Sequence, residues 1–161
     1  MATFKVTVSI LVGDQYIETV IIGTKDKDKI TGTSDGEILA GQEGKDILRG
    51  GGGPDGFFFQ NPAGFSRKEL DRIKDFDSEE GDFILVDKEF FGLIDEITLK
   101  VVASKQAFRK ASKTNYDFIY YNKKGLLCFN ENGEEKGWGS GGLFAKLQNA
   151  PELGVSDFMI V

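Results

Sequence analysis

Histidine is absent from this chain, and cysteine occurs once. Without imidazole there is no Ser-His-Asp triad, no H-E-x-x-H zinc site and no histidine general base. A single thiol makes neither an internal disulfide nor a cysteine zinc site. Its neighbours Leu126, Leu127 and Phe129 mark Cys128 as a small core residue. No run approaches the ~20 apolar residues of a spanning helix. The opening MATFKVTVSILVGDQ lacks the basic stretch and long apolar stretch of a cleavable secretory signal, so any export is expected to use another route. Positive charge is in deficit, with 20 Lys and Arg against 26 Asp and Glu, a net charge of −6 and a pI near 4.8. That balance argues against nucleic acid and anionic membrane as partners.

With 40% hydrophobic residues the chain has material for one core. FKVTVSILV (4–12) and QYIETVII (15–22) alternate apolar and polar residues and are rich in Val, Ile and Thr. They predict a hairpin turned at Gly13–Asp14.

The next segment differs in kind. Written in nines from Gly23 it reads GTKDKDKIT, GTSDGEILA, GQEGKDILR, GGGGPDGFF. Glycine opens each unit, at 23, 32, 41 and 50. The sixth place is acidic in all four (Asp28, Glu37, Asp46, Asp55), and the eighth is large and apolar (Ile30, Leu39, Leu48, Phe57). The fourth place holds Asp26, Asp35, Gly44 or Gly53, residue types that tolerate positive φ. A disordered linker has no reason to keep an apolar residue at every ninth position.

Each unit reads as a six-residue turn and a three-residue strand, so two units make a coil of eighteen. Stacked coils give two short parallel sheets with the eighth-place side chains between them. Such units bury an apolar face only in arrays. The turns then stack along each edge. Glycine lets carbonyls turn inward, and the sixth-place acids lie between consecutive turns. A cage made only of oxygens selects hard cations, and its size and flexibility suit Ca²⁺ better than Mg²⁺. Without an ion the stacked acids repel and the short strands bury too little to order so much glycine. Folding of this segment is therefore expected to be coupled to Ca²⁺.

Residues 23–58 resemble the hemolysin-type (RTX) calcium-binding repeat G-G-x-G-x-D-x-U-x, which builds a parallel β-roll. GQEGKDILR and GGGGPDGFF fit closely; GTKDKDKIT and GTSDGEILA are looser, and the second carries Glu at place six. The resemblance implies that Asp28 and Asp46 share an ion with carbonyls of Thr24, Asp26, Gly41 and Glu43. It implies a second ion for Glu37 and Asp55 with carbonyls of Thr33, Asp35, Gly50 and Gly52. DRIKDFDSEEGDFILVD (71–87) is similar to the D-x-I-x-D-F…G-D-x-I-x-L segment that follows such repeats. It implies further ligands at Asp75 and Asp82, with Asp71 and Asp77 as additional candidates. The chain's end, through DFMIV (157–161), resembles the C-terminal region of type I secretion substrates, whose export signal is uncleaved.

Elsewhere, Ser66 with Glu69 is a candidate capping box, although DRIKDF alternates as a strand and the strand is preferred. SKQAFRKAS (104–112) predicts a helix capped by Ser104. FILV (83–86), YDFIYY (116–121), LLCF (126–129), GGLFAKL (141–147) and DFMIV (157–161) predict short strands. Phe57–Phe59, Phe90, Phe91 and Trp138 are expected to close the ends of the two-sheet core. GGGGPDG lacks the GK[ST] ending of a phosphate loop, the placeable carboxylates are assigned to Ca²⁺, and no enzyme is expected. The expectation is an all-β protein with three parts. Residues 1–22 form a hairpin cap, 23–58 a short parallel calcium β-roll, and 59–161 a C-terminal antiparallel β cap carrying the secretion signal. It is expected to be a calcium-binding monomer secreted from a bacterium through type I machinery. The alternative is an intracellular calcium buffer or sensor.

Overall fold

The structure is a computed structural model that describes residues 4–12, 15–60, 65, 68–93 and 96–161. The repeat segment forms four strands: β3 (Lys29–Thr31), β4 (Glu37–Ala40), β5 (Ile47–Arg49) and β6 (Gly56–Phe59). Successive strands enter opposite sheets, so β3 pairs with β5 and β4 with β6, all parallel. Residues eighteen apart are register partners, as in Ile30 with Leu48 and Leu39 with Phe57. The stacking continues beyond the last nonapeptide. β7 (Asp71–Ile73) adds to β5, and β8 (Phe83–Val86) adds to β6.

The first sheet has the order β1-β2-β4-β6-β8-β13, with β1 (Phe4–Val12) and β2 (Gln15–Ile22) at one edge and β13 (Phe158–Ile160) at the other. The second has the order β3-β5-β7-β12-β11-β10-β9, completed by β9 (Leu99–Val102), β10 (Phe118–Tyr121), β11 (Leu126–Phe129) and β12 (Gly142–Leu147). In the first sheet Ile21, Leu39, Phe57, Ile84 and Phe158 share one register row. In the second, Ile30, Leu48, Ile73 and Leu147 do the same. Both rows belong to one buried cluster. Each fully buried aliphatic side chain there contributes about 1.5–3 kcal/mol.

The all-β expectation is overturned. The protein is mixed α/β: two sheets of thirteen strands, dominated by parallel pairings, with short helices, and not a pure parallel roll with an antiparallel cap. Among the described residues the antiparallel pairings are β1–β2, β10–β11 and β11–β12. The segment after residue 58 does not stand apart as an antiparallel cap. Its strands β7, β12, β8 and β13 pair in parallel and extend both sheets. Helix α1 (Lys88–Phe91), unforeseen in the sequence, starts where the Asp87 carboxylate accepts the Phe90 N–H at 2.8 Å and stops at Gly92, φ 63°. Helix α2 (Lys105–Ala111) lies where expected, with the Ser104 hydroxyl accepting the Ala107 N–H at 3.0 Å.

Gly13–Asp14 and Ser66, of the expected hairpin turn and capping box, lie outside the described residues. DRI forms a strand, as preferred, and Glu69 serves a different purpose described below. Phe57, Phe59 and Phe91 enter the main core, whereas Trp138 packs on Phe108 of α2 with ring centroids 5.5 Å apart. Cys128 is fully buried in that smaller cluster, and burial pushes its thiol pKa far up.

Candidate functional site: two columns of buried carboxylates

The sixth-place acids form two columns, one along each line of stacked turns. In the first, the Asp28 N–H donates to Asp46 Oδ1 at 2.8 Å, and the Asp46 N–H donates to Asp71 Oδ1 at 2.8 Å. In the second, the Glu37 N–H donates to Asp55 Oδ1 at 2.9 Å, and the Asp55 N–H to Asp82 Oδ1 at 2.9 Å. All six acids are buried: Asp28 2%, Asp46 0%, Asp71 5%, Glu37 2%, Asp55 1% and Asp82 6% exposed. Ionised carboxylates are almost never this buried unless paired or coordinated. The ion pairs among the described residues, Lys25–Glu43 and Arg49–Asp75, involve none of the six.

The second oxygens of Asp28, Glu37 and Asp82 bond to their own turns. Asp28 Oδ2 accepts the Thr24 N–H at 2.6 Å and the Thr24 hydroxyl at 2.8 Å. Glu37 Oε2 accepts the Thr33 N–H at 2.9 Å, while its Oε1 accepts the Thr33 hydroxyl. Asp82 Oδ2 accepts the Asp77 N–H at 2.9 Å. Asp28 Oδ1 and Asp46 Oδ2 are buried with no hydrogen-bond partner among the described residues. A buried acceptor left bare costs about 1–3 kcal/mol, and more when charged.

Burial raises the pKa of four of these acids above the ordinary aspartate value of 3.8: Asp46 to about 6, Asp55 to about 7, Asp71 to about 8 and Asp82 to about 6. Repulsion from neighbouring acids adds to this, and the backbone hydrogen bonds oppose it.

Glycine lets the turns close around these oxygens. A Cβ on Gly41 or Gly50 would strike the Oδ2 of Asp46 or Asp55. On Gly23 it would strike the Gly41 carbonyl, on Gly32 the Gly50 carbonyl, and on Gly51 the Thr33 carbonyl. A Cβ on Gly44, at φ 117°, would lie 2.8 Å from the Asp26 carbonyl oxygen.

The structure therefore brings together the expected pairs Asp28–Asp46 and Glu37–Asp55, and sets the carbonyls of Asp26, Gly41, Thr33 and Gly50 against glycines of the facing turns. Thr24 holds Asp28 through its N–H and hydroxyl. The Thr33 carbonyl already accepts the Gly52 N–H at 3.0 Å. The Glu43 side chain pairs with Lys25 at 3.6 Å, and the Asp35 side chain is exposed. Asp75 is not in a column: it accepts the N–H groups of Gly50 (3.0 Å) and Gly51 (3.2 Å) and pairs with Arg49. Asp77 caps its own turn, taking the Glu79 N–H at 2.9 Å.

Glu69, expected only as half of a capping box, instead accepts the Gly44 N–H on its Oε2 at 2.6 Å, beside the first column. Asp71 proves a full column member. The signal was a triplet, acid then any residue then apolar, which recurs in DRI and DFI as in DKI, EIL, DIL and DGF.

Among the described residues no three Asp, Glu, Cys or His side chains converge as a metal-binding group. A cation in these columns would take backbone carbonyls together with one or two carboxylates. Bare buried carboxylate oxygens, carbonyls facing glycines and the lack of nitrogen or sulfur donors fit a hard divalent ion. No protein-family model matches the chain. No curated protein matches it either.

Proposed function

We propose that this chain is a calcium-binding protein of the hemolysin-type repeat class, whose stacked turns hold Ca²⁺ and become ordered on binding it. One observation carries this reading: two acid columns run through the turns buried, and the first keeps two carboxylate oxygens, Asp28 Oδ1 and Asp46 Oδ2, with no partner among the described residues. Asp28, Asp46 and Asp71 supply negative charge to one line of turns, and Glu37, Asp55 and Asp82 to the other. Carbonyls of Asp26, Gly41, Thr33 and Gly50 complete the oxygen sets. Bound Ca²⁺ supplies the positive charge that the columns lack, and the turns exclude water around it.

Export through a type I channel belongs to the same proposal. A chain whose turns order only with Ca²⁺ stays extended where free Ca²⁺ is scarce and folds where it reaches the ~10⁻⁴–10⁻³ M range of extracellular modules. The DFMIV terminus supports the assignment by resemblance, and its residues 158–160 pair as β13 along β8.

The test is a Ca²⁺ titration from chelator, followed by calorimetry and by Trp138 fluorescence. Binding with a midpoint near millimolar is expected, accompanied by a gain of far-UV circular dichroism. A protein that binds no Ca²⁺ at millimolar concentration, or is equally folded in chelator, refutes the reading. A sub-micromolar midpoint moves it to an intracellular buffer. Deleting residues 155–161 is expected to stop export.

A further inference from the structure

The outer side of the second sheet is divided. Over β9, β10 and β11 it is covered by α2 and Trp138, which pack on Val102, Ile119 and Cys128. Over β3, β5, β7 and the Lys146 end of β12 no buried cluster covers it among the described residues, and there it carries cations. Strand alternation turns Lys29, Arg72, Lys74 and Lys146 away from the core, since Ile30, Ile73 and Leu147 point inward. Lys27 and Lys45 rise beside them from consecutive turns. None of these six makes an ion pair among the described residues.

Arg72 and Lys146 are direct register partners on neighbouring strands, an arrangement of like charges that weakens a sheet. A groove of about 210 Å³ lies among Lys27, Lys45, Asp46, Ile47 and Arg72. Arg72 also borders a smaller hollow of about 50 Å³ with Lys146 and Gln148. In a protein of net charge −6, cations gathered this way with no ion-pair partner among the described residues form a local field that attracts an anion.

We propose that this face binds an acidic polysaccharide laid across the strands, its carboxylates taken by Lys27, Lys45, Arg72 and Lys146. Neighbouring strands stand about 4.8 Å apart, close to the length of one sugar ring, so successive rings meet successive strands. Arg72 offers a two-pronged guanidinium to a carboxylate, and the lysines act as point charges. Other polyanions fit less well. Single-stranded nucleic acid needs exposed aromatic platforms, and the exposed large apolar residues, Tyr16, Val101, Tyr116, Val155, Ile160 and Val161, all lie off these strands. A membrane surface needs several apolar side chains beside the cations, and the half-buried Ile47 is the one apolar side chain in the groove. No Ca²⁺ ion takes part in this recognition, and because the calcium reading makes Ca²⁺ order the turns that carry Lys27 and Lys45, the probe is offered in millimolar Ca²⁺.

Fluorescence anisotropy with a labelled oligogalacturonate, too short to gel, tests it. The protein is expected to bind this probe and not a neutral glucose oligomer, with affinity falling as salt rises. The triple variant Lys45→Gln/Arg72→Gln/Lys146→Gln should bind roughly tenfold more weakly or worse, since charges opposed across an interface set both encounter and affinity. The charge-matched control Lys88→Gln/Lys123→Gln/Lys136→Gln, on other surfaces, should bind as the parent does. If the first triple loses its circular dichroism signal, Arg72→Gln and Lys146→Gln singly carry the comparison. Absence of binding, equal losses in both triples, or tighter binding to duplex DNA or phosphatidylserine vesicles overturns the proposal. Calcium calorimetry on the same samples separates its fate from that of the calcium reading: loss of either result leaves the other standing.

Discussion

The two acid columns are built from the same nine-residue unit, yet they differ by one methylene, and that difference changes how the first acid of each is hydrogen-bonded. In the first column Asp28 is short, so both donors of Thr24, its N–H and its hydroxyl, converge on Oδ2 and leave Oδ1 bare. In the second column Glu37 is longer, and the two donors of Thr33 divide between Oε2 and Oε1. Asp82 has both oxygens engaged as well. The bare oxygens of the columns, on Asp28 and Asp46, thus belong to the first. Under the calcium proposal a cation there would replace hydrogen bonds that the turn does not make, whereas Thr33 already supplies donors to both oxygens of Glu37.

The largest effect expected tests whether the columns stand on equivalent cores. Leu48 and Leu39 occupy the same place in the two register rows and are both fully buried. Leu48→Ala and Leu39→Ala should each cost about 2–5 kcal/mol, read from urea unfolding in Ca²⁺. Similar costs leave the acids as the source of asymmetry. A clearly larger cost on one side puts it in the packing instead.

Removing Ca²⁺ comes next. A ligand held at a hundred times its Kd stabilises the folded state by about 2.7 kcal/mol per site. Chelation should therefore lower Tm, and amide exchange should rise first in β3, β5 and β7, beside the first column. Uniform exchange in both sheets would show that the columns are equally dependent.

A reciprocal swap sharpens the comparison further. Glu37→Asp should leave a bare oxygen in the second column and strengthen its Ca²⁺ binding; Asp28→Glu should satisfy the first and weaken it. Each change is expected near tenfold in affinity, about 1.4 kcal/mol, measured by calorimetry. Weakening by both variants would mean that side-chain length acts only through fit.

What the sequence made legible was local. The four units announced themselves because acid and apolar residue recur at a fixed period, and α2 because Ser104 caps an amphipathic run. The columns' later members were harder to see. Asp71 follows Asp46 by 25 residues and Asp82 follows Asp55 by 27, against 18 within the repeats. A longer connection preserves the register while erasing the period. The all-β expectation failed for a related reason. β12 and β13 add in parallel to β7 and β8, strands remote in sequence, and such pairing needs a long crossover and no tight turn. α1 was hidden by its length of four residues.

The smallest effect is the dependence on pH, and its sign is opposite to that of a salt-bridged carboxylate. Burial holds Asp46, Asp55, Asp71 and Asp82 at about 6, 7, 8 and 6 in the ion-free fold, above the ordinary aspartate value of 3.8. Between these limits the folded chain holds more protons than the unfolded chain, so stability falls as pH rises. The loss begins near the unfolded value and is complete above the folded ones. Ion-free protein should thus be more stable at pH 5 than at pH 8, and Ca²⁺, which displaces those protons, should bind more tightly at pH 8. The upper end of the window belongs to Asp71, in the first column. Asp71→Asn should remove the part of the fall that lies between pH 7 and 8, while Asp82→Asn should leave that part in place. Both are read from urea unfolding in chelator across the pH range. A fall persisting unchanged to pH 8 in Asp71→Asn would assign the last proton to the second column instead, and make that column the one in greater need of an ion.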